Sequence, residues 1–369
     1  MRRVISTVTN DLISDQRAHK TATSLLNNNY QVTLIGRRFS RSQNLAPRAY
    51  ETRRIRLLFN KGPLFYLEYN LRLFFILLSC KADVLLANDL DTLSGVYLAS
   101  KIRGIALVFD SHEYYTEVPE LVNRPLKKKI WKKTEQWIVP KLNRAYTVCE
   151  SIAQLYEQEY GTSFKVVRNI PLMSDIEESE KPSIPVIIYQ GAINVGRGIE
   201  HAVQAMQYID DAEFWIVGDG DILQDVRNLV FELKLDNKVK LLGRVPFEEL
   251  RALTSKASIG LSIEENIGLN YYYALPNKLF DYVHAHVPIL GSDLPEIKNI
   301  VAGSEIGEVL KSHEPKQMAE QLIGMLNNKS LRDRWTANLK IASKELTWEN
   351  EEKILLQIFD RIEPKLLPE

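Results

Sequence analysis

Short apolar runs alternate with longer stretches of helical periodicity along most of the chain. In the first half the apolar runs read VISTV, QVTLIG, DVLLA, IALVFD and AYTVC. In the second half they read VIIYQ, EFWIV, VKLL, ASIGLSI, VPILGS and EIGEVL. Apolar strands that alternate with helices are typical of parallel sheets covered by helices on both faces. The pattern therefore predicts an α/β protein with two doubly wound domains.

An acidic segment with several prolines separates the two halves. Residues 171–185 read PLMSDIEESEKPSIP, which is a composition typical of an exposed linker. We therefore predict an N-terminal domain over residues 1–170 and a C-terminal domain over residues 186–346. The last segment, residues 347–369, shows helical spacing and is expected to pack back onto the first domain.

Composition narrows the class of protein. The chain has 369 residues, of which 45% are hydrophobic and 25% charged, as in ordinary globular proteins with two domains. Its 47 basic residues balance 47 acidic ones, which does not favour nucleic acid as a partner. Only Cys80 and Cys149 are present, without the spacing of a disulfide framework or a metal site, which favours a reducing compartment. We therefore expect a cytoplasmic protein.

Neither a signal peptide nor a membrane span is expected from the apolar segments. The opening MRRVISTVTN moves directly into a strand-like run, so secretion is not expected. The most apolar window, Leu64 to Ser79, contains Glu68 and Arg72 and is shorter than the roughly 20 apolar residues of a membrane span. We predict a helix in the protein core.

The segment IEENIGLNYYYALPNKLFDYVHAHVPILGSDLPEI combines a polar loop, a helix start and a buried strand. Pro276 is suited to begin a helix, Lys278 lies in its first turn, and Asp281 follows on the same face. A phosphate suits the helix start and Lys278, while Asp281 is suited to accept hydrogen bonds from ribose hydroxyls. The segment therefore predicts a nucleotide site, with an ordinary surface helix as the alternative.

Three loops after predicted strands of the second half are further candidates, because ligands of open parallel sheets bind beyond the carboxyl ends of strands. The loop from Gly191 to Gly198 leads into a helix and contains Arg197, which suits a diphosphate. The turn Gly218-Asp219-Gly220 lacks the third glycine of a dinucleotide fingerprint, so a nicotinamide cofactor is not favoured. The turn Gly243-Arg244-Val245 is suited to contact a base. Ordinary strand-to-helix turns are the alternative for each loop.

Taken in order, these segments resemble the retaining glycosyltransferase family 4, also described as glycosyl transferases group 1. The best-matching portions are YQGAINVGRGIEHAVQAM, WIVGDGD, VKLLGRVPFEELRAL and PNKLFDYVHAHVPILGSDLPEI. The resemblance covers nearly the whole chain, and the order of the portions is more specific than any one of them. It implies the GT-B architecture, in which two Rossmann-like domains face each other across a cleft that holds the active site.

The resemblance implies two catalytic cations. The family's phosphate-binding pair is an arginine and a lysine in the first of these loops. Here Arg197 stands at the lysine position and Ala192 at the arginine position. We expect Lys278 to supply the missing positive charge from the opposite side of the ligand.

The resemblance also implies the carboxylates and loop residues that contact the donor. The first of the family's paired glutamates matches Glu265, and the second matches Asp281, sixteen positions further on. Asp281 is implied to hold the ribose, and Glu265, or its neighbour Glu264, to contact the transferred sugar. The other positions implied to bind the donor are Gly191, Gly196, Gly218, Gly243, Val245, Gly268, Leu269, Asn270 and Asn277.

The first half offers candidates for the acceptor side. Asp15 and Arg17 follow the first strand and are expected to meet the acceptor, with helix capping as the alternative for Asp15. His112 follows the LVFD run and resembles the family's strand-end histidine that faces the sugar, with a structural histidine as the alternative. Asp89-Leu-Asp91 has the spacing of a metal-binding pair in another glycosyltransferase fold. Here it opens a helix and is expected to cap it, so neither a metal nor a cofactor besides the donor is expected.

A basic amphipathic helix is predicted around Trp131. Six basic residues lie between Arg124 and Lys133, beside Ile130 and Trp131, and Trp137 follows at helical spacing. Such a helix suits peripheral docking on an anionic membrane surface, here the inner membrane face, and a solvated cationic face is the alternative.

The resemblance implies a metal-independent hexosyltransferase that uses a nucleotide-diphosphate sugar and retains the anomeric configuration. The acceptor class it implies is a glycan or a lipid-linked molecule. A nucleotide-sugar 2-epimerase on the same scaffold is one alternative. The other is a degenerate nucleotide-binding scaffold subunit, which Ala192 and the widened spacing of the acidic pair make plausible.

Overall fold

The computed structural model describes residues 1–13, 15–40, 42–118, 121, 124–173 and 180–362. The chain divides into two compact units. Unit 1 comprises Met1–Asn169 together with the C-terminal residues from Glu351, and unit 2 comprises Ile170–Asn350. Residues 174–179 of the predicted linker and residues 363–369 of the predicted C-terminal segment lie outside the described residues.

Unit 1 contains one parallel sheet with strand order β3-β2-β1-β4-β5-β6-β7. Its strands are β1 (Arg2–Asp11), β2 (Tyr30–Arg37), β3 (Glu51–Ile55), β4 (Val84–Asn88), β5 (Ala106–Ser111), β6 (Ala145–Thr147) and β7 (Lys165–Val166). Its helices are α1 (Gln16–Asn27), α2 (Gly62–Ser79), α3 (Leu90–Arg103), α4 (Pro125–Ile138) and α5 (Glu150–Tyr160). The strand order reverses between β1 and β4, where a doubly wound sheet binds its ligands.

Unit 2 repeats this order with its own six parallel strands, β10-β9-β8-β11-β12-β13. The strands are β8 (Val186–Ala192), β9 (Glu213–Asp219), β10 (Val239–Gly243), β11 (Ile259–Ser262), β12 (Ile289–Gly291) and β13 (Gly307–Val309). The helices are α6 (Ile199–Ala205), α7 (Leu223–Glu232), α8 (Phe247–Lys256), α9 (Leu269–Tyr272), α10 (Asn277–His284), α11 (Pro295–Gly303), α12 (Pro315–Asn327) and α13 (Lys329–Glu345). The order reverses between β8 and β11.

The core of unit 2 lies on both faces of its sheet. Ile187 and Tyr189 of β8 belong to one buried apolar cluster, and Val186 and Ile188 of the same strand belong to another. Successive side chains of a strand point to opposite faces, so the sheet is covered on both sides. This is why the strands read as continuous apolar runs in the sequence.

The last helix, α14 (Trp348–Asp360), begins in unit 2 and continues in unit 1. The Glu351 carboxylate is 1% exposed, lies 2.6 Å from the Arg168 guanidinium and accepts a hydrogen bond from the Arg168 backbone N–H at 2.7 Å. Further along the helix, Asp360 accepts a hydrogen bond from the Tyr30 hydroxyl at 3.0 Å. These contacts hold the helix against unit 1.

Helix α2 corrects the prediction of a core helix over the most apolar window. One face is buried through Phe65, Tyr69, Leu73 and Leu77. A second stripe is half exposed or more, through Leu64, Leu67, Leu71 and Phe75. Apolar content predicted a helix in the protein core, but the helix is buried through only one of its faces. Among the described helices, none combines the length and the apolar character that crossing a membrane requires.

Candidate functional site

Two loops meet at the point in unit 2 where the strand order reverses. The loop after β8 and the loop after β11 are joined by a hydrogen bond from the Glu265 backbone N–H to the Gly196 carbonyl, at 2.9 Å. Gly198 has φ +72°, and a Cβ there would lie 2.3 Å from the Ile263 carbonyl oxygen. A side chain is therefore excluded where α6 begins, and the backbone of the two loops stays in close contact.

Three charged side chains converge at this junction. Lys278, in the first turn of α10, lies with Nζ 2.8 Å from Glu264 Oε1. Arg197, from the loop after β8, lies with Nη1 3.6 Å from the same oxygen. Lys278 is 7% exposed and Glu264 is fully buried, while a quarter of the Arg197 side chain is exposed. The structure thus brings together the two predicted cations.

The cluster has more positive than negative charge. Burial opposes ionisation of Glu264, but Lys278 and Arg197 outweigh it and hold the pKa of this carboxyl below its ordinary value. Two cations therefore share one carboxylate. Within the described part of the chain, the buried Nε of Arg197 has no hydrogen-bond partner, and its Cζ lies 4.6 Å from the centre of the Tyr271 ring. The surplus charge and the free donor suit an anionic ligand.

Glu264, rather than Glu265, occupies the centre of this cluster. The Glu265 side chain is 31% exposed and lies 3.6 Å from His201 Nε2. In the loop after β11 the two adjacent carboxylates therefore have different partners, and it is Glu264 that faces the buried cations. The structure thus places the alternative residue, Glu264, beside the two predicted cations, while Glu265 lies beside His201.

Asp281, in α10, contacts the side chain of Gln190 of β8. Lys278 of the same helix contacts Glu264 instead. Asp281 Oδ2 accepts a hydrogen bond from Gln190 Nε2 at 2.8 Å, and Gln190 Oε1 accepts one from the Thr254 hydroxyl at 2.6 Å. Gln190 is 2% exposed, so this chain of hydrogen bonds orients the carboxylate. Sequence reasoning did not identify Gln190, since an amide inside an apolar strand is the only signal it leaves.

The remaining predicted donor positions differ in their surroundings. A Cβ at Gly218 would lie 1.9 Å from the Gly191 carbonyl, so glycine is required there by close packing of two strands. Gly243 and Gly268 have positive φ and no atom within 4 Å of an added Cβ, and are open on that side. Among the other positions, Val245 packs against the core and Asn270 is buried. Leu269 is 44% exposed, and Asn277 is exposed at the start of α10.

In unit 1, His112 lies between two carboxylates at the carboxyl end of β5. Its Nδ1 is 3.0 Å from Asp89 Oδ2, and its Nε2 is 3.0 Å from Asp110 Oδ2. The His112 backbone N–H also donates to Asp89 Oδ1 at 2.9 Å. Burial alone would lower the pKa of the imidazole, but Asp89 and Asp110 raise it well above its ordinary value. His112 is therefore an imidazolium with both ring nitrogens engaged.

Arg17 and Asp15, which were expected to contact the acceptor, both have partners inside unit 1. Arg17 is 5% exposed, its guanidinium lies 2.7 Å from Asp110, and it donates to the Val167 carbonyl at 3.0 Å. Asp15 caps α1 by accepting from the Ala18 N–H at 3.0 Å, which was the alternative interpretation. Burial opposes ionisation of Asp110, but Arg17 and His112 lower its pKa to about 2.

Asp89 and Asp91 also differ from expectation. Asp89 occupies the N-cap position of α3, with φ +61°, but its side chain makes no capping hydrogen bond and binds His112 instead. Asp91 is 8% exposed and accepts from the Thr9 hydroxyl at 2.5 Å. In the described residues, no three His, Cys, Asp or Glu side chains are grouped to hold a metal ion.

Comparison with known families matches each half of the chain separately. Residues 16–178 match the family described as Glycosyltransferase Family 4, and residues 184–328 match Glycosyl transferases group 1. An uncharacterized glycosyltransferase of Methanocaldococcus jannaschii is 24% identical over 162 residues, which are 44% of this chain and 44% of that protein. The chain thus spans less than half the length of that relative.

Solved structures match the chain over nearly its whole length. Sucrose-phosphate synthase of Thermosynechococcus elongatus has a TM-score of 0.78 at 14% identity, over 98% of this chain and 99% of that chain. The Anabaena protein HepE, solved in complex with UDP and glucose, has a TM-score of 0.73 at 13% identity, over 98% and 100%. The predicted α/β GT-B fold is confirmed, and each half of the chain matches a family of glycosyltransferases. The matched families do not favour an epimerase or a scaffold subunit.

Replacing Glu264 by Gln should destabilise unit 2. The substitution leaves Lys278 buried without its carboxylate partner. Removing one partner of a buried ion pair lowers the free energy of unfolding by about 3–5 kcal/mol. Because the folded-state pKa of Glu264 is lowered, its contribution is present above the unfolded pKa and is lost as the pH falls through the folded one. Urea unfolding followed by circular dichroism at neutral and acidic pH measures both effects. Glu265→Gln is the matched control, and an equal loss in both variants would contradict the central position of Glu264.

His112 should remain protonated well above neutral pH. Its folded-state pKa is raised, so its stabilising contribution is present below the unfolded pKa and disappears as the pH rises through the folded one. Asp89→Asn removes one of the two flanking carboxylates and should move the His112 titration to lower pH. An NMR titration of the imidazole Cε1–H signal reports this directly. Asp83→Asn, at the opposite end of β4, is the control and should leave the pKa of His112 unchanged. An unchanged His112 pKa in Asp89→Asn would contradict the placement of His112 between Asp89 and Asp110.

Proposed function

We propose that the protein transfers a sugar from a nucleotide-diphosphate donor to an acceptor, independently of metal and with retention of anomeric configuration. The observation that carries the proposal is the cluster of Lys278 and Arg197 around the single carboxylate of Glu264. This surplus of positive charge lies where the strand order of unit 2 reverses, which is where doubly wound sheets bind their ligands. The solved complex of HepE with UDP and glucose supports a nucleotide sugar as the donor.

The chemistry of transfer explains why these groups suit the reaction. When the bond between the sugar and the diphosphate breaks, negative charge develops on the leaving group and positive charge on the sugar ring. Preorganised donors that face the developing charge stabilise such a transition state. Arg197 and Lys278 supply two cations, and Arg197 Nε supplies a donor with no partner among the described residues. Asp281, oriented by Gln190, is positioned to accept from the ribose hydroxyls.

Retention follows in this proposal from front-face displacement. Glu264 is held by two cations and is a poor covalent nucleophile for this reason. The departing phosphate then helps to deprotonate the acceptor hydroxyl, on the face that the leaving group vacates. The sugar therefore keeps its anomeric configuration, and the two side-chain cations carry the charge stabilisation.

Replacing Lys278 by Ala should weaken binding of the nucleotide sugar at least tenfold, because it removes one of two cations that face the diphosphate. The donor is first identified by a thermal-shift screen of nucleotide sugars, with UDP-glucose included, and its affinity is then measured by calorimetry. Lys298→Ala, an exposed lysine of α11, is the control.

Activity assays separate this function from its alternatives. Transfer should require an acceptor, persist in EDTA and yield a product whose anomeric NMR signals show retention. Conversion of the donor without an acceptor would indicate an epimerase, and nucleotide binding without conversion a scaffold subunit. Unchanged donor affinity in Lys278→Ala, or an inverted product, would refute the proposed mechanism.

We also propose that unit 1 docks on an anionic membrane surface, where a lipid-linked acceptor would be found. Helix α4 exposes Leu126, Ile130 and Trp137 beside the exposed cations Lys129 and Lys133. Lys128 and Lys132 are instead paired with Glu117 and with Glu135 and Glu159. Trp131 of α4 packs against Tyr66 of α2 at 4.9 Å between ring centres, so the two helices that carry exposed apolar side chains are in contact. Apolar side chains next to cations suit the interface of an anionic bilayer.

Vesicle flotation tests this docking. The protein should float with vesicles that contain anionic lipid and remain unbound with neutral vesicles. Replacing Leu67 and Leu71 of α2 by Ser should reduce flotation, because both side chains are at least half exposed and leave the core intact. Phe231→Ser, which removes an exposed aromatic side chain of unit 2, is the control. Equal binding to neutral and anionic vesicles, or none to either, would refute the docking.

A further inference from the structure

Arg37 is a buried arginine at the carboxyl end of β2, on the edge of the unit 1 sheet where ligands of doubly wound folds bind. The residue is only 9% exposed. Its guanidinium lies between two aromatic rings, with Cζ 3.8 Å from the centre of the Phe39 ring and 4.2 Å from that of Phe65. The rings hold the side chain in one place but supply no counter-charge.

Arg37 uses little of its hydrogen-bonding capacity. Across the described residues, its single hydrogen bond runs from Nη1 to the Asn60 carbonyl, at 3.4 Å. The buried Nε has no partner, and no carboxylate lies within ion-pair distance in that part of the chain. The edge formed by Nε and Nη2 is the one that binds a carboxylate or a phosphate through two parallel hydrogen bonds.

The two carboxylates whose charge acts on Arg37, Asp11 and Asp91, are already engaged with other groups. Asp11, the register partner of Arg37 on β1, lies 3.3 Å from Arg54 and accepts from the Ser42 hydroxyl. Asp91 accepts from the Thr9 hydroxyl, and burial together with Asp89 raises the pKa of its carboxyl to about 8. At neutral pH Asp91 therefore carries little negative charge, and no described carboxylate lies within ion-pair distance of Arg37.

A buried guanidinium without a counter-ion is unfavourable by itself, since burial of an unpaired charge costs free energy. We propose that Arg37 binds an oxyanion, a carboxylate or a phosphate carried by the acceptor, through its Nε and Nη2 edge. The protein would then select acidic acceptors, such as a uronic acid or a sugar phosphate. That the anion is part of an acceptor rests on the proposed transferase function. The oxyanion site itself does not depend on that function.

The test reads the Arg37 side chain directly in the full chain. Protein with ¹⁵N-labelled arginine gives separate Nε–H signals, and the Arg37→Lys variant identifies the signal of Arg37. The probes are inorganic phosphate, methyl β-D-glucuronide and methyl β-D-glucoside, which is the neutral match of the glucuronide. The Arg37 signal should shift with at least one of the two anions and stay unchanged with the glucoside.

Affinity measurements complete the test. Arg37→Lys keeps the charge but loses the two-donor edge, so the Kd of the anion that binds should rise at least tenfold. Arg53→Lys, an exposed arginine on the neighbouring strand β3, is the matched control and should leave the Kd unchanged. A response to phosphate only would assign a phosphorylated acceptor, and a response to glucuronide only an acidic sugar.

Two results would overturn the oxyanion site. One is an Arg37 signal that no anion moves, and the other is an equal loss of affinity in Arg37→Lys and Arg53→Lys. The melting temperature of each variant shows whether that variant is folded. The shift of the Arg37 Nε–H signal is measured in the unaltered protein and does not depend on the stability of any variant. Binding of nucleotide diphosphates is measured in parallel. Binding that persists while the Arg37 signal stays fixed would overturn the oxyanion site alone and leave the transferase proposal standing.

Discussion

The buried carboxylate of Glu264 joins three segments of unit 2 through charge. Lys278 comes from the first turn of α10, Arg197 from the loop after β8, and Glu264 from the loop after β11. Burial opposes the ionised form of this carboxyl, but the two cations that face it outweigh burial and keep its pKa below the ordinary value. The position of the loops and the charge of the site therefore depend on the same contacts. The glycines at Gly196 and Gly198 allow the approach that makes these contacts possible.

The charged clusters of the two units are balanced differently. In unit 1, Arg17, Asp110, His112 and Asp89 alternate in sign along one chain of contacts, so two cations meet two carboxylates. In unit 2, two cations meet one carboxylate. A balanced chain orients its members and leaves little charge for a ligand, whereas an unbalanced cluster favours an anion. This difference is the physical reason why the diphosphate site is proposed in unit 2.

Much of the fold was predictable, because the signals that define it are local. The alternation of apolar strands and helices indicated two parallel sheets, and both are present with the same order of their first six strands. The helix start at Pro276 and the positions of Arg197 and Lys278 were also readable, since proline, glycine and charge mark the ends of elements. The packing of helix α2 was not predictable, because apolar content does not indicate which face of a helix is buried against its neighbours. Asp89 was read as a cap because its position fits one, but its side chain contacts His112, which is 23 residues away.

The sequence by itself determined the class of fold, the two halves and the segments that form the candidate site, since periodicity and turn residues act over a few neighbouring positions. Only the tertiary structure decided that Glu264 rather than Glu265 faces the cations, that Gln190 orients Asp281, and that Arg17 is committed to Asp110. It also decided that Arg37 is buried with no carboxylate of the described residues at ion-pair distance. Partners of this kind are distant in the chain, and which of two adjacent side chains points inward depends on how the strand ends, which spacing in the sequence does not specify.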